Sequence, residues 1–399
     1  MKRNLAAALG LVIVGGATNA LAQVDCSTLP NPLYVPGTTD VKPLLSRLAP
    51  YLATADGGSQ ITVVYQGMGS CTAIDAVRNG TALQGTAVYW AGGIDAGVGL
   101  ESGCTIPTGQ LADLALSDVA VTTCTGAAPP ATLGEFSSVV QPFGLVVPPN
   151  SSQQAITAEE AYVIFKYGAE AGKQVTPWTD PALIAIRTPA ASTQLLIGLA
   201  AGIPGTMWSA ALTNINSGSS AVVTKVAAEN TTGNADKTLG ILSAQRYDEN
   251  RDKLKMLAFQ SYGQACLGAV YPDSTATALD KRNVRDGHYT IWSYLWAIAP
   301  VSGGTVPNAR AKAFIDFLGG STPINGGDPV VATIKAGAVP TCAMKVKRAF
   351  DGADLAPYTP PTPCSCFYEK TATGSTSCAT CSAGSPCSSG TCQLGYCEP

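Results

Sequence analysis

Arg187 and the pair Ser192-Thr193 are the residues whose type and spacing best suit the binding of an anion. They lie in the stretch 186–204, IRTPAASTQLLIGLAAGIP, where a lone arginine precedes a Pro/Ala turn, two hydroxyl residues and an apolar run. Ser and Thr favour helix N-caps, and Gly followed by Pro ends helices. The stretch therefore predicts a helix from about Gln194 to about Ala201, with Ser192 and Thr193 at its start. A helix start carries free backbone N–H groups and the positive end of the helix dipole. A guanidinium folded back over the same turn would complete an oxyanion pocket. The alternative is an ordinary capped helix beside a surface arginine.

The elements that must position these groups alternate along the chain. Residues 33–37 read as a short strand that runs into Thr38-Thr39-Asp40 and a helix start, with Pro43 in the first turn. Residues 61–66 are a β-branched strand, followed by Gly67-Met68-Gly69-Ser70 and a helix closed by Asn79-Gly80. Strands at 86–91 and 114–117 follow, the second ending in Ser117-Asp118. Strand–turn–helix alternation predicts a mostly parallel α/β sheet, and ligands on such sheets sit outside the carboxyl ends of the strands. Thr38, Thr39, Ser70, Asp118, Arg187 and Thr193 all fall at such places.

Further along, residues 139–148 are an apolar extended run able to cross between domains. Thr157 to Glu160 is a capping box opening a helix that ends at Gly168. Residues 213–236 read as a polar surface loop around a short helix, and 238–243 and 254–259 as strands. The aromatic run within 280–299 reads as a return crossover, and 308–318 as an amphipathic helix.

Composition bounds the class. The chain opens with Lys2-Arg3, an apolar run and Ala20-Leu21-Ala22, the pattern of a secretory signal peptide, so an exported protein, periplasmic or secreted, is expected. Net charge is −3 and only 13% of the 399 residues are charged, which gives no general field towards nucleic acid or an anionic membrane. An anion would have to be held by local dipoles. Thirteen cysteines in an exported chain read as disulfides with one thiol left over. Cys104–Cys124 and Cys266–Cys342 are taken as trial pairings. Seven of the cysteines crowd into 364–399, after the proline-rich stretch PYTPPTP. That stretch predicts a stiff linker to a separate, disulfide-stapled tail.

Catalysis finds little support. The single histidine, His288, has no second histidine beside it and is expected to be structural. Residues 168–174 imitate a phosphate-binding loop but with the wrong spacing and without the Ser/Thr that holds Mg²⁺. Gly67-x-Gly69-Ser70 lacks the glycine after serine that a nucleophile elbow needs. Cys378-x-x-Cys381 has zinc-ligand spacing, but exported cysteines oxidise. No enzyme activity, cofactor or metal is expected.

The order GTTDVKP, YQGMGSC, LALSD, RTPAAST, LGILS and DKRNVRDGHY, from about Leu33 to about Leu318, resembles the phosphate-binding periplasmic proteins of ABC transporters. The resemblance implies the two-domain type II periplasmic binding protein fold of class α/β. Two mixed sheets flanked by helices would be joined by two crossovers, with a ligand cleft between them and a disulfide-rich tail added. Domain 1 would comprise 27–142 and 290–355, domain 2 143–289, the linker 356–363 and the tail 364–399, after a signal segment 1–22. It further implies a ligand set of Thr38 and Thr39 from the first loop, Ser70 from the second and Asp118 as acidic acceptor. Arg187, Ser192 and Thr193 would hold the anion from the second domain. The ligand would be inorganic phosphate or a related oxyanion, the partner an ABC transporter permease, and the protein a monomer. The family carries Ser-Gly-Thr where this chain has Ala191-Ser192-Thr193, and a small residue where Asp40 stands. The competing expectation is a secreted or cell-surface interaction protein with a degenerate anion pocket.

Overall fold

The computed structural model describes residues 24–54, 60–95, 98–264, 268–320 and 322–398. The expected signal segment 1–22 and Cys266 lie outside the described residues. The first lobe is built from β1 (Pro32–Gly37), α1 (Lys42–Ala53), β2 (Thr62–Gly67), α2 (Ser70–Asn79), β3 (Thr86–Asp95), β4 (Val98–Thr105) and β5 (Ala115–Ser117). β1 pairs in parallel with β2 and β5, whereas β3 and β4 run antiparallel. Alternation along β1 and the helical face Leu44, Leu45, Leu48 and Leu52 of α1 meet in one buried cluster with Trp90.

β6 (Leu133–Val147) then crosses into the second lobe, where α3 (Ala158–Tyr167), β7 (Ile184–Arg187), α4 (Ser192–Ala200), α5 (Ser219–Ala228) and β8 (Leu239–Ser243) follow. The Thr157/Glu160 capping box forms as its sequence predicts, with bonds of 2.8 and 3.1 Å. β9 (Trp292–Pro300) returns to the first lobe and is followed by α6 (Ala309–Gly319) and α7 (Pro329–Lys335). The crossover strands β6 and β9 are antiparallel neighbours from Leu133↔Pro300 to Pro142↔Trp292, with a bulge between Tyr294 and Trp296. β6 also pairs with β8 in the second lobe. Hydrogen bonding therefore runs without a break from the short strand Val24–Asp25 through β4, β3, β2, β1, β5, β9, β6, β8 and β7 to Ile215–Asn216. The carboxyl ends of β1, β5 and β7 all open onto the seam between the lobes, where a ligand crevice is expected.

Several expectations change. Residues 254–259 form two short strands because Lys255–Met256 pairs with β6 while Ala258–Gln260 pairs with Ala155–Thr157. The disulfides among the described residues are Cys26–Cys104, Cys71–Cys124, Cys342–Cys364, Cys366–Cys378, Cys381–Cys392 and Cys387–Cys397. The trial pairings Cys104–Cys124 and Cys266–Cys342 are thus replaced, since parallel packing brings Cys104 beside Cys26 and α2 brings Cys71 to Cys124.

The proline-rich stretch does not lead to a detached module. Ala356–Pro357 pairs with Val346–Lys347, and Cys364 is bonded to Cys342. Helix α8 (Ser365–Thr373) buries Tyr368 to 1% exposure in the same core as Phe165 and Ile241. Its start is capped by the buried carboxylate of Glu398, which accepts from the N–H groups of Cys366 and Phe367 at 2.9 and 3.1 Å. Six disulfides fit an oxidising, extracytoplasmic setting, and no helix among the described residues is long and apolar enough to cross a membrane.

Candidate functional site

Ser70, Ser192 and Ser219 are each the first residue of a helix, α2, α4 and α5, and each is buried at the seam. None of these helices has a side-chain cap bond at its start. Three positive dipole ends therefore converge on one region, which suits negative charge. The approach is close: Gly69, with φ at +87°, lets the α2 loop turn so that the Cys71 N–H donates to the Ala190 carbonyl of the other lobe at 3.2 Å.

Two carboxylates lie in this field. Asp118, fully buried, follows β5; its Oδ2 accepts from the Thr38 hydroxyl at 2.6 Å and the Ser192 hydroxyl at 2.8 Å. Its backbone N–H donates to Ser70 Oγ at 3.3 Å. Its Oδ1 has no hydrogen-bond partner. Burial, and then the charge of Asp40, push the Asp118 carboxyl up from 3.8 to about 7. The second carboxylate, Asp40, is 1% exposed. It accepts from Ser219 Oγ at 2.6 Å, Ser243 Oγ at 2.8 Å and Thr193 Oγ1 at 3.0 Å.

Arg187 at the end of β7 is 2% exposed and supplies the cation. Its guanidinium donates to Ser219 Oγ at 2.8 Å, to the carbonyls of Asn216 and Ser217 at 3.1 and 3.2 Å, and to Thr39 Oγ1 at 3.3 Å. It lies 3.9 Å from the Asp40 carboxylate. All seven residues singled out in the sequence thus meet in one network: Thr38, Thr39, Ser70, Asp118, Arg187, Ser192 and Thr193. A cavity of about 390 Å³, lined in part by Thr39, Lys42, Ser219 and Arg246, borders it.

The sequence reading missed Ser219 and Ser243, and placed Asp40 at a helix start. Ser243 was legible, since it ends a strand as Ser117 does. Ser219 was not, because only the packing of α5 brings a residue from a polar loop onto Arg187. Ser192 and Thr193 differ from expectation too. They do not cap α4, because their hydroxyls turn to the two carboxylates of the first lobe. His288 is exposed and stands outside the site. Cys378 and Cys381 are both in disulfides, so neither offers a thiolate to zinc.

Asp118 carries a pH signature. Its carboxyl ionises near 3.8 in the unfolded chain and near 7 in the folded one. Between those values the folded state holds the extra proton, so stability falls as pH rises through the window. In urea titrations from about pH 4 to about pH 7, the wild type should lose stability more steeply than Asp118→Asn. Parallel slopes would show that Asp118 does not titrate there.

No family model and no curated protein matches this chain. Solved structures do match it. A candidate phosphate ABC transporter substrate-binding protein with bound phosphate from Clostridium perfringens aligns over 78% of this chain and 99% of its own, with 14% identity and a TM-score of 0.54. The fold is type II periplasmic-binding-like. An ABC-type phosphate transport receptor from Vibrio cholerae covers 77% of this chain and 99% of its own, at 17% identity and a TM-score of 0.49. The reduced OxyR regulatory domain from Pseudomonas aeruginosa covers 72% and 96%, at 11% identity and a TM-score of 0.37. A type II periplasmic-binding-like fold does not by itself specify a ligand.

Proposed function

We propose that the seam between the lobes is an oxyanion site and that the protein is an exported solute-binding protein for phosphate or a protonated relative such as arsenate. The observation that carries this reading is a buried seam where Arg187 and three helix N-termini meet beside a carboxylate, Asp118, that contacts the starts of α2 and α4 and keeps one oxygen unpartnered. Donors alone would hold any oxyanion. A buried acceptor selects one that still carries a proton, because the phosphate hydroxyl can donate to Asp118 whereas sulfate presents only lone pairs and like charge. No step of chemistry follows. Binding shifts the equilibrium between open and closed lobes, and the closed form would be read by an ABC transporter permease.

Titration calorimetry with phosphate and sulfate tests the reading. The wild type should prefer phosphate by roughly 10⁴-fold, since a site built around a ligand hydrogen rejects the analogue lacking it. Asp118→Ala should lose most of that preference. Equal binding of both anions to the wild type would remove Asp118 from the role.

A second reading is favoured by one observation, the buried position of Asp40 among the donors. On it, the chain is a cell-surface or secreted interaction protein whose cleft no longer takes a solute. A thermal shift distinguishes the two: a thousandfold excess of phosphate over its dissociation constant stabilises a binder by about 4 kcal/mol and leaves a non-binder unmoved.

A further inference from the structure

The groups that would surround an oxyanion already surround a side chain. Asp40 Oδ1 accepts from Ser219 and Ser243, and Oδ2 accepts from Thr193 and faces Arg187. All four partners belong to the second lobe, while Asp40 stands in the first, just before α1. The N-cap of α1 is Val41, whose side chain has no acceptor, and Asp40 stands one residue before it. The hydrogen bonds of the Asp40 carboxylate run to the opposite lobe. Three hydroxyls and a guanidinium around one anionic group make the shell of an oxyanion ligand.

We propose that Asp40 is an internal ligand: its carboxylate takes the place of an oxyanion, latches the lobes together, and must be displaced by any solute anion that enters. The proposal rests on the oxyanion reading of the cleft and adds its regulation. A tethered carboxylate competes at high effective concentration, because its attachment to α1 keeps it beside the donors. A solute oxyanion entering while Asp40 and Asp118 are both in place meets like charge in a low-dielectric site. The protein then responds only to high phosphate, and removal of the latch should turn it into a tight binder. Removal should also leave Arg187 without its carboxylate, a loss that phosphate would repair.

The test uses the full mature chain with Asp40→Ala, and Asp40→Asn as the milder variant should the first fold poorly. Calorimetry with inorganic phosphate is paired with small-angle scattering in its absence and presence. The variant should bind phosphate at least about tenfold more tightly than the wild type, as relief of like-charge contact allows. It should scatter as a more open molecule until phosphate is added. If wild type and variant bind phosphate equally, the latch is refuted and the oxyanion reading stands. If neither binds, the oxyanion reading fails, and scattering then judges the latch alone: an open variant supports it and a compact one refutes it.

Discussion

Arg187→Ala is expected to abolish phosphate binding and to cost about 3–5 kcal/mol of stability, the usual effect of removing one partner of a buried ion pair. The guanidinium is 2% exposed and makes four hydrogen bonds, two of them to the carbonyls of Asn216 and Ser217 where the chain leaves the Ile215–Asn216 strand for α5. Its loss strips the only cation within ion-pair distance of Asp40 among the described residues. Arg187→Lys restores charge but not the fork, so it should recover part of the stability and little of the binding. The double variant with Asp40→Ala is the sharper measurement. If Asp40 and Arg187 are coupled, removing both should cost less than the sum of the single losses. Urea unfolding of the four proteins gives the cycle. Additive losses would show that the two charges do not support one another.

Ending the chain at Asp354 should produce a protein that is largely unfolded or aggregated, even though all seven residues first singled out for the site are retained. Truncation takes Tyr368 out of the second-lobe core, a loss of about 3–5 kcal/mol for an aromatic side chain. It breaks Cys342–Cys364, worth about 2–5 kcal/mol more. It also deprives Arg285, 2% exposed, of Glu369 at 3.0 Å and of the Tyr368 ring at 4.8 Å. Those losses rival the whole stability of an ordinary domain, about 5–15 kcal/mol. Denaturant titration of the full and shortened chains decides it, with Tyr368→Ala as an intermediate case. A shortened chain that unfolds at the wild-type midpoint would mean that the tail is as detached as its proline-rich approach suggests.

The prolines and cysteines that make the tail look separate are local features of the sequence. Pro357, Pro360, Pro361 and Pro363 do stiffen the approach. What the pattern could not carry is that the helix beyond them packs Cys364, Phe367, Tyr368 and Ala372 against a core made mostly of residues far away in the sequence. Their i, i+3, i+4, i+8 spacing marks one helical face, but not which core that face would meet. The disulfides failed as predictions for the same reason: pairing depends on which strands and helices become neighbours, and spacing along the chain does not encode that.

The fold itself was more legible. Strand–turn–helix alternation, the Thr157/Glu160 capping box, the apolar crossover at 139–148 and the aromatic return within 280–299 are set by short-range propensity and hydrophobic period, which act within a few residues. The same local logic determined that hydroxyls, Asp118 and Arg187 would stand at strand ends, and so near one another on the sheet's carboxyl edge. Tertiary structure alone decided what those groups do to each other. Asp40 reads locally as a helix-start aspartate, yet Val41 takes the N-cap position, and the Asp40 carboxylate meets three hydroxyls and a guanidinium of the other lobe. Asp118 likewise owes its unpartnered oxygen and its raised carboxyl to burial beside Asp40. Residue type settles which groups can bind an anion; only the distance between charges in a dry seam settles whether the anion comes from solution or from the chain.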